Sequence, residues 1–339
     1  MKKRKFLARV AIVTAISLFA ACGFGGCKKE TDELFVCAPD GAPALSLAKA
    51  MSEDDADDGV RYEIVDASTI STYVKYDTAN DDKNADVCVM PLGAASKLLG
   101  KGDRYQALGV VTHGNLYMLS TDETQYTQDN LSDLIGKTVG VVQLLNVPGD
   151  VFKVILTEAD IPWRIVGNDG EIKTDHVNLR AVTPDQVLPT EGIDVFVAPE
   201  PAASVKVKLT DLQFVGDLQA LYGGENGYPQ AVIVAKRSVL EKNGTFITAL
   251  TEDLTASATW LAETEISEIC SVVSSHLTEG LTPSLTSKNL TADSLKNSSV
   301  WFTGATTCRA EMDGFLQKIV AVGGTGAAVQ SAFYYGVED

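Results

Sequence analysis

The sequence predicts an α/β protein of two lobes, each a mostly parallel sheet flanked by helices, joined by two crossover segments and completed by C-terminal helices on the first lobe. Three observations predict it. Short apolar runs alternate with amphipathic stretches in two separate sets. Two longer apolar segments, 107–119 and 230–235, are placed to carry the chain between those sets, and beyond Lys236 the pattern turns helical. Such alternation marks parallel βα units, and 339 residues are enough for roughly two cores.

In the first set, strands are expected at Leu34–Ala38, Tyr62–Asp66 and Val87–Met90, with helices at Ala42–Met51 and Ala94–Leu99. The second set gives strands at Thr138–Val142, Ile165–Val166, Val177–Ala181 and Val195–Ala198, and helices at Gly149–Ala159 and Ala202–Lys208. The chain crosses out through Ala107–Leu119 and back through Gln230–Ala235. Residues 34–114 and 229–339 are therefore assigned to lobe 1 and 115–228 to lobe 2. In the C-terminal block, Ile247, Leu250, Leu254 and Leu261 recur at helical spacing after a stop at Asn243-Gly244, and further helices are expected at Glu265–His276 and Arg309–Ala321.

The N-terminus has the make-up of an export signal. Lys2, Lys3, Arg4, Lys5 and Arg9 precede an apolar run from Val10 to Ala21, twelve residues long, where a permanent span takes about 20. Cysteine follows the small pair Ala20-Ala21, so the segment resembles a bacterial lipoprotein signal. That resemblance implies diacylation of the Cys22 thiol, cleavage before it, and a lipid anchor on the outer face of the cytoplasmic membrane. Phe19 departs from the Leu preferred at minus three, and Cys27 after Gly25-Gly26 is a second candidate. An ordinary secreted leader is the alternative. Residues 22–33, small and polar, suit a flexible tether.

Removing the five basic residues of the leader leaves 23 Lys+Arg against 45 Asp+Glu, a net charge of −22. A surface of this sign repels nucleic acid and anionic headgroups. The acidic run 53–58 lacks the alternating ligands of a calcium loop and fits a solvated loop. Of the cysteines expected in the folded body, Cys37 and Cys88 lie in apolar strand-like runs and fit buried free thiols at least as well as a bridge. Cys270 with Cys308 is the expected pair if a disulfide forms. No CxxC pair occurs, and His113, His176 and His276 are scattered, so neither a metal site nor a cofactor is expected. Gly136-Lys137-Thr138 precedes a strand instead of following one, which excludes a phosphate-binding P-loop, and Gly323-Gly324-Thr325-Gly326 fits a surface loop.

Four segments share one design: an apolar strand, a Pro- or Gly-containing turn, then small residues opening a helix. They are Cys37–Pro43, Val89–Ala95, Val142–Gly149 and Ala198–Ala203. Proline presets the first helical turn and small residues admit a ligand to free N–H groups. In open α/β sheets ligands sit at the carboxyl ends of strands, where these turns fall. Several helix N-termini converging on one cleft suit an anionic or strongly polar group.

The phrases APDGAPALSLAKAM (38–51), ADVCVMPLGAASKLLGKG (85–102), DLIGKTVGVVQLLNVPGDVFKVILTEADI (133–161) and GIDVFVAPEPAASVKVK (192–208) resemble, in order, the ABC-transporter solute-binding proteins of the nitrate, sulfonate and thiamine-precursor group. The resemblance runs from about Leu34 to Asn243. It implies a type II periplasmic binding fold, hinge closure over a small ligand, a monomer, and an ABC permease with its ATPase as partners. By segment it implies ligand contacts from Asp40, Gly41 and Ala42; Pro91, Leu92, Gly93 and Ala94; Leu144 and Asn146; and Glu200 and Pro201. Asn115, Tyr222 and Tyr228 near the crossovers are further candidates. No Arg lies in the turns, so the bidentate anion clamp is missing. Asp40 and Glu200 fit a ligand bearing N–H donors, or cap their own helices. Sulfonate, carboxylate and aminopyrimidine ligands all stay open. The rivals are an enzyme on the same fold, of the menaquinone or pyrimidine biosynthesis type, and a sensory binding lipoprotein without transport.

Overall fold

Continuous apolar runs become the central strands of two sheets, because a strand covered by helices on both faces has no polar side to display. The computed structural model describes residues 33–54, 59–75, 84–167, 170–224 and 226–337. The leader, Cys22, Cys27, the tether up to Asp32 and residues 55–58 of the acidic run lie outside the described residues.

The chain begins with β1 (Leu34–Pro39), α1 (Ala42–Leu45), α2 (Ala48–Ser52), β2 (Val60–Val65), β3 (Val87–Pro91), α3 (Leu92–Leu99) and β4 (Tyr105–Thr112). It continues through β5 (Leu116–Ser120), β6 (Thr138–Val142), α4 (Val147–Glu158), β7 (Trp163–Ile165), β8 (Val177–Val182), β9 (Val195–Pro199), α5 (Ala202–Leu209), β10 (Gln213–Asp217) and α6 (Leu218–Tyr222). The last part comprises β11 (Ala231–Lys236), α7 (Arg237–Lys242), α8 (Gly244–Glu263), α9 (Ile266–Ser275), α10 (Ala292–Asn297), β12 (Val300–Gly304) and α11 (Ala305–Ala321).

The strands form two six-stranded sheets in the orders β12-β4-β11-β3-β1-β2 and β10-β5-β9-β6-β8-β7. Each has a parallel heart: β2-β1-β3 in the first and β7-β8-β6-β9 in the second. Antiparallel strands complete them, β11, β4 and β12 in the first and β5 and β10 in the second. The two expected crossover segments thus bend into paired strands. The first holds β4 and β5 with a break at 113–115, and the second enters β11.

Side chains alternate between the faces of each sheet. Along β1, Phe35 and Cys37 join one apolar cluster while Val36 and Ala38 join another with α1, α2, α8 and α9. The first cluster also takes in Val139 and Val141 of β6, Phe152 of α4, and Met312, Phe315 and Ile319 of α11. One apolar core therefore runs through both lobes on the side of α3, α4 and α11. The predicted stripe Ile247, Leu250, Leu254 and Leu261 is buried along α8 as expected.

Three sequence expectations are corrected. The helix expected over 42–51 is broken into α1 and α2. Strands β10 and β12 and the short helices α6 and α10 were not foreseen. The Cys270–Cys308 disulfide does not form: Cys270 and Cys308 belong to different clusters, and Cys37, Cys88, Cys270 and Cys308 are all free. Cys37 and Cys88 instead face each other in register across β1 and β3, their sulfurs 3.6 Å apart. Among the described residues no helix is long and apolar enough to cross a membrane.

Candidate functional site

The four turns fall at the ends of β1, β3, β6 and β9. In the first, Gly41 has φ +107°, a conformation glycine tolerates. Asp40 turns both oxygens inward: Oδ1 accepts the Gly41 N–H at 2.8 Å and Oδ2 the Ser284 N–H at 2.7 Å. Ala42 is buried. In the second turn, half-buried Pro91 pairs with Ala231, and the Leu92 N–H donates to the Gln230 carbonyl at 2.9 Å. Gly93 is pressed against the C-terminal loop, where a Cβ would lie 2.2 Å from the Thr325 carbonyl oxygen, and Ala94 beside it is half-buried.

In the third turn, Leu144 is buried in the core, and a Cβ on Gly149 would lie 1.8 Å from its carbonyl oxygen. Gln143, Leu145 and Asn146 are exposed. Gln143 has φ +55°, an uncommon conformation for a residue with a side chain. Asn146 is the N-cap residue of α4 but makes no side-chain capping bond, so its carboxamide is free for a ligand. In the fourth turn, Glu200 is 2% exposed. Its carboxylate accepts from Ser204 N at 3.0 Å, Ser204 Oγ at 2.6 Å and Asn297 Nδ2 at 3.4 Å. Burial pushes this carboxyl up, against the pull of those three bonds. Pro201 is buried beside it. Asp40 and Glu200 are thus both engaged by the protein: Glu200 bonds the first turn of its own helix α5, whereas Asp40 bonds Gly41 and the distant Ser284 and does not cap α1.

The crossovers run side by side. Gln230 N donates to the Thr112 carbonyl at 2.9 Å and Tyr228 N to the His113 carbonyl at 3.3 Å. Close approach depends on two glycines with positive φ: a Cβ on Gly114 would lie 2.7 Å from the Tyr228 ring, and one on Gly227 2.2 Å from the His113 carbonyl oxygen. Asn115 ties the first crossover to the fourth turn, its Nδ2 donating to the Glu200 carbonyl at 3.1 Å and its own carbonyl accepting from Glu200 N at 2.9 Å.

Five buried side-chain atoms of this junction have no partner among the described residues: Thr112 Oγ1, His113 Nδ1, Asn115 Oδ1, Gln219 Nε2 and Gln230 Oε1. Buried polar groups normally find a partner in protein, water or ligand, so these five are the candidates for bonds completed from outside the chain. His113 stacks flat on Trp301, ring centroids 4.1 Å apart, and burial holds its imidazole down to about 4, so the ring is neutral near pH 7.

Tyr222 and Tyr228 are not part of that polar set. Tyr228 is fully buried, stacks on Phe315 at 5.9 Å and donates to Gln219 Oε1 at 3.2 Å. Tyr222 packs edge-on against both rings, under Lys318 of α11. Together with Phe315 they form the aromatic packing behind the second crossover.

A further link between the lobes lies in the 323–326 segment, expected to be a surface loop. Thr325, following α11, donates through both N and Oγ1 to Asp150 Oδ2 at 2.6 Å. Asp150 and Lys153, 1% and 4% exposed, form a buried ion pair on α4 at 3.2 Å. The same loop reaches α3 through Ala327 N, which donates to Ser96 Oγ at 3.0 Å. It therefore clasps the helices that open at the second and third turns. Ser284, Asn297, Thr325 and His113 were all missed by sequence reasoning, because each reaches the site from a distant segment or carries no local motif. Among the described residues no three His, Cys, Asp or Glu side chains gather to hold a metal ion.

No family model matches the chain, and no curated protein matches it by sequence. Solved structures do resemble it. An ABC transporter from Parabacteroides distasonis superposes with TM-score 0.66 at 17% identity, covering 91% of this chain and 100% of that one. The periplasmic aliphatic sulphonate-binding protein SsuA from Escherichia coli gives 0.55 at 14% identity, covering 85% and 90%. The ligand-binding component of an ABC-type import system from Staphylococcus aureus, with zinc bound, gives 0.53 at 12% identity, covering 90% and 98%. The second of these is a periplasmic binding protein and the third the ligand-binding component of an importer, and this chain shares the fold of all three: two α/β lobes, each with a parallel heart, joined by two crossovers.

Proposed function

We propose that the chain is the extracytoplasmic solute receptor of an ABC importer, holding a small polar molecule between lobe 1 (34–114 and 229–339) and lobe 2 (115–228). The observation that carries this reading is the set of five unpartnered buried polar atoms, four on the crossovers and Gln219 on α6, beside the second and fourth turns that bond to the crossovers. A ligand that completes these bonds from both lobes stabilises the closed arrangement over the open one. The groups on offer are amides, a hydroxyl and a neutral imidazole. They are suited to holding a polar ligand.

In this reading Asn115, Asn146 and Gln143 contact the ligand directly, Gly41, Pro91 and Gly93 shape the turns, and Asp40 and Glu200 hold loops in place. With no Arg or Lys in the turns, an aminopyrimidine or another N–H-bearing polar ligand fits better than a bare sulfonate or carboxylate. Acylation of Cys22 would keep the receptor, as a monomer, beside its permease and ATPase on the outer face of the membrane.

The test is native mass spectrometry of the purified protein, followed by a thermal-shift panel of sulfonates, carboxylates and aminopyrimidines. A stoichiometric adduct released on denaturation is expected. A ligand at 100 times its Kd should add about 2.7 kcal/mol of stability. An empty protein that no compound in the panel stabilises contradicts the proposal.

A further inference from the structure

Beside the edge strand β10, a cavity of about 670 Å³ opens that is lined by none of the turn residues. Its volume is in the range that holds small organic ligands. Three rings build its wall: Tyr117 on β5, Phe214 on β10 and Tyr126 from the segment between β5 and β6. Tyr117 and Phe214 meet edge to face, centroids 5.4 Å apart at 78°. Two carboxylates, Asp129 and Asp217, also line it, and no Lys, Arg or His does.

Asp217 divides its oxygens. Oδ1 caps α6, accepting from Gln219 N at 2.7 Å and Ala220 N at 3.2 Å, whereas Oδ2 takes no hydrogen bond among the described residues. The negative field reaches the wall itself: burial first, then the charges of Asp217 and Glu200, push the Tyr117 hydroxyl up. Aromatic rings beside carboxylates that no lining cation neutralises attract cations and repel anions, and a ring wall favours an organic cation over a hydrated metal ion.

The cavity is not confined to one lobe. Asn297 closes one side, and it ends α10, whose Leu295 is buried in the lobe 1 core. The Asn297 carbonyl accepts from Tyr117 at 3.2 Å, and its side chain reaches Glu200 of the fourth turn. An occupant here touches both lobes at the outer flank of the hinge.

We propose that this cavity is a second binding site, for a small organic cation carrying an amine or quaternary ammonium group. The test uses the full chain in detergent, titrated calorimetrically with choline and with its neutral isostere 3,3-dimethylbutanol at matched ionic strength. Choline should bind saturably, and at least tenfold more tightly than the isostere. Asp217→Asn keeps an oxygen to cap α6 while removing the charge, and should weaken choline at least tenfold. Phe214→Ala should do the same, and Asp129→Asn replaces it as the second variant if that chain fails to fold. Absence of saturable choline binding, equal binding of the isostere, or unchanged binding in the variants overturns the proposal.

Discussion

Single residues hold the two crossovers side by side. Gly114 and Gly227 combine positive φ with contacts that leave no room for a Cβ. Gly114→Ala and Gly227→Ala should each cost about 2–4 kcal/mol, measured by denaturant unfolding, with larger losses in ligand binding than alanine causes at exposed Gly244. His113 gives the pH dependence a sign. Its folded value, about 4, lies below the ordinary 6.5, so its contribution to stability is complete above pH 6.5 and is lost as pH falls toward 4. At one pKa unit per 1.36 kcal/mol, the loss is on the order of 3 kcal/mol. His113→Phe, which keeps a ring against Trp301, should flatten that slope in melts between pH 7 and 4. Glu200 acts in the opposite direction: its carboxyl is raised by burial, so its contribution is present below pH 4.5 and is lost as pH rises through the folded value. Glu200→Gln should remove that decline while keeping an acceptor for Ser204.

At the scale of elements, the clasp between α11, α3 and α4 makes the sharpest prediction. Thr325→Val removes one hydrogen bond to a buried carboxylate and should cost about 1–3 kcal/mol. Hydrogen exchange should quicken at 322–327 and in the first turn of α4 more than in the sheets. Lys153→Met leaves Asp150 buried without its cation and should cost more, about 3–5 kcal/mol. The same scale shows what was legible in the sequence. Strands β1, β3, β6 and β9 stand out because burial on both faces makes them unbroken apolar runs, whereas the apolar run that forms β11 was read as a crossover. Strands β10 and β12 are half-buried edge strands with bulged pairing, and their residues carry neither a clean alternation nor a continuous run. The four turns were visible through Pro, Gly and Ala. Ser284 on Asp40, Asn297 on Glu200 and Thr325 on Asp150 were not, because each contact joins residues far apart in sequence and no local pattern records a partner. Gln143 at positive φ was likewise invisible, since glutamine is no signal for that conformation.

For the whole molecule, the proposed reading predicts that a ligand between the lobes changes more than its own surroundings. The two sheets share one apolar core on the α11 side and are joined by crossovers that carry unpartnered polar atoms. In the proposed reading the lobes rotate about the crossovers, and the Thr325 and Ala327 bonds hold them together on one side. Filling the polar junction offsets the desolvation of those groups only when both lobes are in contact with the ligand. The measurement that tests this most directly is small-angle X-ray scattering of the protein with and without the compound that most raises its melting temperature. The account predicts a smaller radius of gyration in the bound state, reversed when the compound is dialysed away. An unchanged radius at saturating ligand would contradict closure of the two lobes over a solute.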